Sequence, residues 1–227
     1  MNDIQVIAFD ADDTLWENEP LFRAAERRWA EILSDYGSLE ELSARLFEVE
    51  KANMEDLGYG AKAFTLSLIE TAIEVSGGQL TAAQTAGILA AGRSILHNPA
   101  HPLPGVAETL SALKDRYRLV LLTKGDLLDQ EHKVERSGLE SFFERIIVVS
   151  DKSERAYRQL LKELKVGPDA FLMVGNSFKS DIQPVLELGG WGAYIPFHTT
   201  WELEKTEEFA HDRLLKLENI GELSLYL

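Results

Sequence analysis

The 227-residue chain contains no cysteine. Disulfide bonds, thiolate metal sites and cysteine nucleophiles are therefore excluded. No apolar run is long enough to cross a membrane as a helix, and no basic segment followed by an apolar stretch opens the chain. Neither a transmembrane helix nor a secretory signal is predicted, so we expect a cytoplasmic protein that does not bind membranes.

Positive charge is scarce as well. The chain has 23 Lys and Arg against 38 Asp and Glu, which gives a formal net charge of −15. A protein that binds nucleic acid along its phosphate backbone normally shows the opposite balance, so no nucleic-acid partner is expected. The hydrophobic content of 45% is sufficient for a packed core, which makes global disorder improbable on composition.

Short apolar runs predict five buried strands. Their near-continuous hydrophobicity is typical of strands that are covered on both faces of a parallel sheet. Amphipathic helical patterns lie between the later strands, and strands that alternate with helices indicate a doubly wound α/β domain. The strand-like runs are residues 6–9, 119–122, 146–149, 171–174 and 193–195, and the helical patterns are residues 105–115, 153–164 and 180–188. A short extra strand is predicted around 215–217.

The stretch from residue 17 to residue 98 has a different pattern. It contains almost no strand-like run and reads as four amphipathic helices separated by glycine-containing turns. The helices are predicted near 19–34, 39–57, 61–76 and 81–96. We therefore predict a core domain of residues 1–16 and 99–227, with a helical domain of residues 17–98 inserted after the first strand.

Three carboxylates follow the first strand within four positions: Asp10, Asp12 and Asp13. Burying charge is costly, so a buried strand that runs into acidic side chains must end where something compensates them. A divalent cation such as Mg²⁺, which prefers oxygen ligands, is a suitable partner. Asp13 is the weakest candidate of the three, because Asp also favours turns and helix N-caps.

Polar residues also follow three later strands. Thr123 and Lys124 end the second strand, Lys152 follows the third, and Gly175 to Asp181 follows the fourth. Because the carboxyl ends of parallel strands share one edge of a sheet, we expect these residues to converge on Asp10. A carboxylate, a hydroxyl, an ammonium and a further carboxylate together suit phosphoryl transfer.

The roles follow from the residue types. Asp10 can attack phosphorus and form an aspartyl-phosphate, and Asp12 can give a proton to the leaving oxygen and later take one from water. Thr123 can donate a hydrogen bond to the phosphoryl group, Lys152 can bind its oxygens, and Asp181 can help to hold the metal.

In order and in spacing, four segments resemble the haloacid dehalogenase superfamily. They are Asp10-Ala-Asp-Asp-Thr-Leu15, Thr123-Lys-Gly125, Lys152 and Gly175-Asn-Ser-x-x-Ser-Asp181. The resemblance implies a Rossmann-like core, with the inserted helices as a cap that closes over the site and selects the substrate. It implies that Mg²⁺ is the cofactor and that Asp12 binds it through the backbone carbonyl.

The same resemblance implies that Asp10 is both nucleophile and metal ligand, and that Asp181 completes the metal site. Asn176 stands where many members carry an acid, which would leave an indirect metal contact there, and Ser180 is a secondary site residue of the same motif. Lys124 stands where a smaller polar residue is commoner, and either adds positive charge near the phosphate or points to solvent.

The predicted function is that of a Mg²⁺-dependent phosphatase acting on a small phosphorylated metabolite through an aspartyl-phosphate. Asp12 argues against the dehalogenase branch, which needs no general acid at that position. A phosphomutase or phosphotransferase using the same residues stays open, as does a phosphoryl-binding regulatory module without turnover. The sequence indicates neither the substrate nor the oligomeric state.

Overall fold

Six strands form one parallel sheet in the computed structural model, which describes residues 3–227. The order across the sheet is β3-β2-β1-β4-β5-β6, and every neighbouring pair is parallel. The five predicted strands are confirmed, and the extra strand lies one residue earlier than predicted. The strands are β1 (Val6–Phe9), β2 (Arg118–Lys124), β3 (Arg145–Val149), β4 (Phe171–Gly175), β5 (Trp191–Tyr194) and β6 (Leu214–Lys216).

Four helices accompany the sheet: α5 (Val106–Leu113), α6 (Leu127–Ser137), α7 (Glu154–Leu164) and α8 (Gln183–Glu187). The predicted 180–188 helix begins instead as a π-helical turn, Phe178–Ile182, that runs into α8. Helix α6 was not predicted, because its sequence is mostly polar, with Leu127, Leu128 and Val134 as its only apolar residues.

The sheet is buried on both faces, as the apolar strands predict. Successive strand residues point to opposite faces, so Ile7 and Phe9 contribute to one apolar cluster while Val6 and Ala8 contribute to another. Helix α5 packs in the first cluster and α7 in the second. This two-sided packing fixes the positions of the strand ends that carry the polar residues.

The helical region has a hydrophobic core of its own. Its helices are α1 (Glu19–Ile32), α2 (Leu39–Leu57), α3 (Ala61–Val75) and α4 (Ala82–Ile95). Trp29 and Phe64 are buried in this core. Reciprocal side-chain and backbone hydrogen bonds of the capping-box type, Ser38 with Glu41 and Thr81 with Gln84, begin α2 and α4.

The chain divides into two compact units. The sheet unit comprises the chain up to Glu19, Ala100–Lys124 and Gln130–Leu227, and the helical unit comprises Pro20–Pro99 and Gly125–Asp129. The short segment 125–129, which the predicted boundaries place in the core, belongs by its contacts to the helical unit. In the described part of the chain, no helix is both long and apolar enough to span a membrane.

The strand order reverses between β1 and β4. Chain order runs outward from β1 through β2 to β3 on one side and from β4 through β5 to β6 on the other. In open α/β sheets the crevice beyond the carboxyl ends of the strands at such a reversal is where ligands bind. Residues that follow β1 and β4 therefore occupy the position of greatest functional interest.

Candidate active site

Asp10 lies at the reversal point of the sheet. Phe9 of β1 is in register with Val174 of β4, and the Asp10 backbone N–H donates to the Val174 carbonyl at 2.8 Å. The side chain is buried, with 6% of the residue exposed. The strand pairing thus holds a carboxylate away from bulk water, directly beside the start of the Gly175–Asp181 segment.

Lys152 joins two of the predicted site carboxylates. Its buried ammonium contacts Asp10 Oδ1 and donates to Asp181 Oδ1 at 2.7 Å, while the Thr14 hydroxyl donates to Asp10 Oδ2 at 3.1 Å. The structure brings together side chains that are widely separated in sequence. We call Asp10, Thr14, Lys152, Asn176 and Asp181 the Asp10 cluster.

Burial dominates the electrostatics of Asp10. It raises the pKa of the Asp10 carboxyl to about 7; the ammonium of Lys152 opposes this rise and the charge of Asp181 adds to it. For Lys152, burial lowers the pKa, but the two carboxylates raise it by more, so the net shift is upward. The cluster therefore contains a charged ammonium and a carboxylate whose ionised form any further positive charge would stabilise.

Gly175 is required by the close approach of Asp181. A Cβ at position 175 would lie 2.2 Å from Asp181 Oδ2, a distance that no side chain can tolerate. The Ser177 backbone N–H donates to the same oxygen at 3.0 Å, and the π-helical turn carries Asp181 back over the strand end. Isolated π-helical turns recur at functional sites, and this one aims a buried carboxylate at Lys152.

Asn176 lies against the oxygens that the resemblance assigns to the metal. With its amide nitrogen facing the acceptors, it donates to the Asp12 backbone carbonyl at 3.1 Å and to Asp10 Oδ2 at 3.2 Å. The nitrogen also reaches Thr14 Oγ1 at 3.1 Å, which leaves the Thr14 hydroxyl free to donate to Asp10. These contacts show that the two oxygens converge within reach of one atom.

The donor set fits Mg²⁺. Among residues 3–227 no three His, Asp or Glu side chains converge as metal ligands. The oxygens that the resemblance assigns to an ion are two carboxylates, Asp10 and Asp181, and the Asp12 carbonyl. Mg²⁺ is typically bound through one or two carboxylates and retains several waters.

The Asp12 side chain has a separate set of partners. Trp16 Nε1 donates to Oδ1 at 2.8 Å and Gln130 Nε2 to Oδ2 at 2.8 Å. The Lys133 ammonium lies 2.9 Å from both oxygens and also reaches Asn18 Oδ1 at 3.1 Å. We call Asp12, Trp16, Gln130 and Lys133 the Asp12 cluster.

The two α6 residues of this cluster were not predicted. Gln130 and Lys133 lie six and nine residues beyond the end of β2 and match no part of the motifs, and a lysine within a helix is usually exposed to solvent. Their spacing of three residues places them on one helix face, a signal that is usable only once α6 is known.

Thr123 and Lys124, the two predicted phosphate-binding residues at the end of β2, have different surroundings. Thr123 is buried, in register with Val148 of β3, and the hydrogen bonds of the Asp10 cluster in residues 3–227 do not include its side chain. Lys124 Nζ pairs with Glu204 Oε1 at 2.5 Å and donates to Ser180 Oγ at 2.9 Å. The predicted phosphate-binding lysine therefore has an internal carboxylate partner.

Glu204 is a further residue that sequence reasoning missed. It lies on a short 3-10 turn after β5 and accepts hydrogen bonds from Ser177 Oγ at 2.5 Å and Ser180 Oγ at 2.6 Å, in addition to its pair with Lys124. Burial raises the pKa of this carboxyl, but Lys124 and the two serines lower it by more, so it stays below its usual range. A turn without periodicity offers no sequence signal for this role.

Asp13 is a turn and capping residue, as the sequence favours. Its backbone adopts the left-handed region with φ of 61°, a conformation that Asp tolerates better than most residues. Its carboxylate accepts from the backbone N–H groups of Asn18 at 2.8 Å and of Glu19 at 3.0 Å. Burial raises the pKa of Asp13 to about 8, against the effect of these hydrogen bonds.

Comparisons with known proteins agree with this architecture. The family model of haloacid dehalogenase-like hydrolases matches residues 4–189. A glyceraldehyde 3-phosphate phosphatase from Methanothermobacter thermautotrophicus is 26% identical over 191 residues, which cover 79% of this chain and 80% of the relative.

Solved structures give the same result. A haloacid dehalogenase-like family hydrolase from Xanthomonas campestris superposes with a TM-score of 0.90 at 39% identity, covering 99% of this chain and 90% of that one. A 2-haloacid dehalogenase from Pseudomonas syringae superposes with a TM-score of 0.64 at 20% identity, covering 98% and 97%, and so shares the fold. The chain therefore belongs to the haloacid dehalogenase-like hydrolases.

Proposed function

We propose that the protein is a Mg²⁺-dependent phosphatase that hydrolyses a small phosphomonoester through an aspartyl-phosphate on Asp10. The observation that carries the proposal is the Asp10 cluster, in which a buried carboxylate at the sheet reversal shares an ammonium with Asp181. A phosphoryl group needs a nucleophile and positive charge in one place, and this cluster supplies both.

In the first step, an Asp10 carboxylate oxygen attacks phosphorus and the bond from phosphorus to the leaving oxygen breaks. Asp12 gives its proton to that oxygen, and the alcohol departs. In the second step, water attacks the aspartyl-phosphate, its proton passes to Asp12, and the Asp10 carboxylate is regenerated as phosphate leaves. Lys152, together with Thr123 from the end of β2, holds the phosphoryl oxygens in both steps.

The residues that would hold Mg²⁺ are Asp10, Asp181 and the backbone carbonyl of Asp12, with Asn176 beside them. When bound, the ion supplies charge that offsets the phosphoryl oxygens and keeps Asp10 ionised. The chain's own contribution is to keep these oxygens close together and Lys152 permanently charged, so that the phosphoryl group meets positive charge from the protein as well.

Asp12 separates this reaction from dehalogenation. Hydrolysis of a carbon–halogen bond expels a halide, which needs no proton, whereas an alkoxide leaving group does. The named relative that covers most of this chain acts, by its name, on glyceraldehyde 3-phosphate, which makes small phosphorylated sugars and three-carbon phosphates the first substrates to test. Substrate selection by residues 17–98 and a cytoplasmic location stay predictions.

The experiment is a panel of phosphorylated metabolites incubated with Mg²⁺, with released phosphate and the organic product both measured. Phosphate and the free alcohol in equal amounts are expected for at least one small phosphomonoester. A phosphomutase would instead convert a sugar phosphate to its isomer without releasing phosphate. Formation of a stable phosphoprotein with no turnover on any substrate would favour the regulatory module and contradict the proposal.

A further inference from the structure

The Asp12 carboxylate accepts more hydrogen bonds from side chains than is usual for a partly exposed carboxylate. Four hydrogen bonds from three side chains engage both of its oxygens, all between 2.8 and 2.9 Å. The Asp12 side chain is nevertheless 20% exposed, whereas Lys133 is 2% exposed. One side of the carboxylate thus remains open while the other is fixed by a buried ammonium.

A buried lysine is a costly way to fill space. Removing an ammonium from water is unfavourable unless it is paired and hydrogen-bonded, and apolar residues of similar volume are often at least as stabilising as a buried ion pair. Lys133 is the one lysine of α6, and its ammonium contacts Asp12 and Asn18. Its placement is explained if the orientation of Asp12 matters.

We propose that Lys133, assisted by Gln130, is the positioning residue for the acid/base carboxyl Asp12. This inference rests on the proposed function. Lys133 contacts both oxygens and Gln130 contacts one, so together with Trp16 they restrict rotation of the Asp12 side chain about both of its torsions. Neither α6 residue touches the reacting atoms; each acts through Asp12.

Both chemical steps depend on this restriction. The same carboxyl must first reach the leaving oxygen as its bond to phosphorus breaks, and then reach the water whose oxygen forms the new bond to phosphorus. An acid that is correctly placed contributes about 10²- to 10⁴-fold, and a displacement of about 1 Å loses much of that factor. Loss of the positioning residue should therefore weaken proton transfer while substrate binding persists.

The test compares two substrates that differ in their need for an acid. An aryl phosphate such as p-nitrophenyl phosphate has a good leaving group and needs little protonation, whereas an alkyl phosphate from the substrate panel needs it fully. Lys133→Met removes the ammonium and keeps the aliphatic stem. Hydrolysis of the shared aspartyl-phosphate slows equally for both substrates, so the comparison uses kcat/KM, which reports the steps up to departure of the leaving group. We expect kcat/KM to fall by about 10- to 100-fold for the alkyl phosphate and by less than about threefold for the aryl phosphate.

A double-mutant cycle separates positioning from a merely structural role. Asp12→Asn should show the same substrate discrimination, and Lys133→Met added to Asp12→Asn should cost nothing further, because the group it positions is already gone. Lys133→Arg should recover part of the alkyl phosphate rate. Lys162→Met, on the exposed side of α7, removes an equal charge and is the matched control.

The outcomes are distinguishable. Equal losses of kcat/KM on both substrates with Lys133→Met, or losses that add to those of Asp12→Asn, would overturn the positioning role while leaving the phosphatase intact. If Asp12→Asn itself showed no substrate discrimination, the acid role in the proposed function would fail. If Lys133→Met does not fold, Gln130→Leu decides: a smaller discrimination of the same kind supports the proposal, and none overturns it.

Discussion

The Asp10 cluster and the Asp12 cluster both stabilise buried charge by pairing, but they differ in their balance of positive and negative charge. Each places a buried lysine ammonium against a carboxylate. Lys152 serves two carboxylates, Asp10 and Asp181, so that cluster retains excess negative charge, whereas Lys133 serves Asp12 with neutral donors around it. Excess negative charge favours a cation and, through it, a phosphate; a balanced pair favours a fixed orientation.

The largest effect should come from removing the nucleophile. Asp10→Asn keeps the shape of the side chain but cannot form an acyl phosphate, so turnover should fall by on the order of 10⁴-fold or more. Asp13→Asn, three residues away, is the matched control and should turn over substrate near the wild-type rate. Appreciable phosphatase activity in Asp10→Asn, with its fold verified by circular dichroism, would contradict the role of Asp10 as the nucleophile and thus the different roles of the two clusters.

Cation removal should affect the Asp10 cluster selectively. Activity should disappear in EDTA and return with Mg²⁺, because two carboxylates share one ammonium there. Asp181→Asn should raise the Mg²⁺ concentration for half-maximal activity by about tenfold or more, the equivalent of one charge-assisted contact. Lys133→Met should leave that concentration unchanged. A titration of initial rate against Mg²⁺ measures both, and full activity in chelator would contradict the metal's role.

The convergence of the Asp10 cluster could be predicted from the sequence because it depends on topology. Apolar strands that alternate with helices give a parallel sheet, and the ends of parallel strands meet at one edge. Asp10, Lys152 and Asp181 each follow their own strand, so their proximity follows from the fold alone. The helices of the inserted region were equally predictable, because capping residues and glycine turns mark their ends.

The Asp12 cluster and Glu204 were not predictable in the same way. Lys133 belongs to a mostly polar helix, and whether a lysine in such a helix is buried depends on which residues pack against it in the fold. Glu204 occupies a short irregular turn, where neither periodicity nor spacing carries information. Side chains that act through other side chains are set by tertiary packing, which the sequence pattern of a single element does not encode.

The pair of Lys124 and Glu204 should produce a smaller effect that again depends on charge balance. If Lys124 contributes positive charge to phosphate binding, Lys124→Met should raise KM by about two- to fivefold, the size expected of a partly exposed charge. Glu204→Gln should lower KM, because it frees the ammonium from its internal partner. Steady-state kinetics on one phosphomonoester tests this, and an equal rise of KM in both variants would indicate that the pair only holds the turn in place.

The smallest effect on turnover should come from Asp13, which should instead alter stability. Its pKa is about 8 in the folded chain and about 4 in the unfolded one, so between these values the unfolded chain binds fewer protons and rising pH favours unfolding. Asp13→Asn keeps an oxygen acceptor for the Asn18 and Glu19 N–H groups. In urea titrations without divalent cations, the free energy of unfolding of Asp13→Asn relative to that of wild type should increase from about pH 4 to about pH 8 and then level off. A stability difference between Asp13→Asn and wild type that does not change with pH would contradict the raised pKa of Asp13.

The most direct test of the account is to trap the covalent intermediate. Acid quenching during turnover of a phosphomonoester, followed by peptide mapping, should place a hydroxylamine-sensitive phosphoryl group on Asp10. With p-nitrophenyl phosphate, whose leaving group needs little protonation, Asp12→Asn should accumulate it, because the base that activates water is lost, and Asp10→Asn should contain none. Steady turnover with no phosphoenzyme in either protein, or a phosphoryl group on any other residue, would contradict nucleophilic catalysis by Asp10.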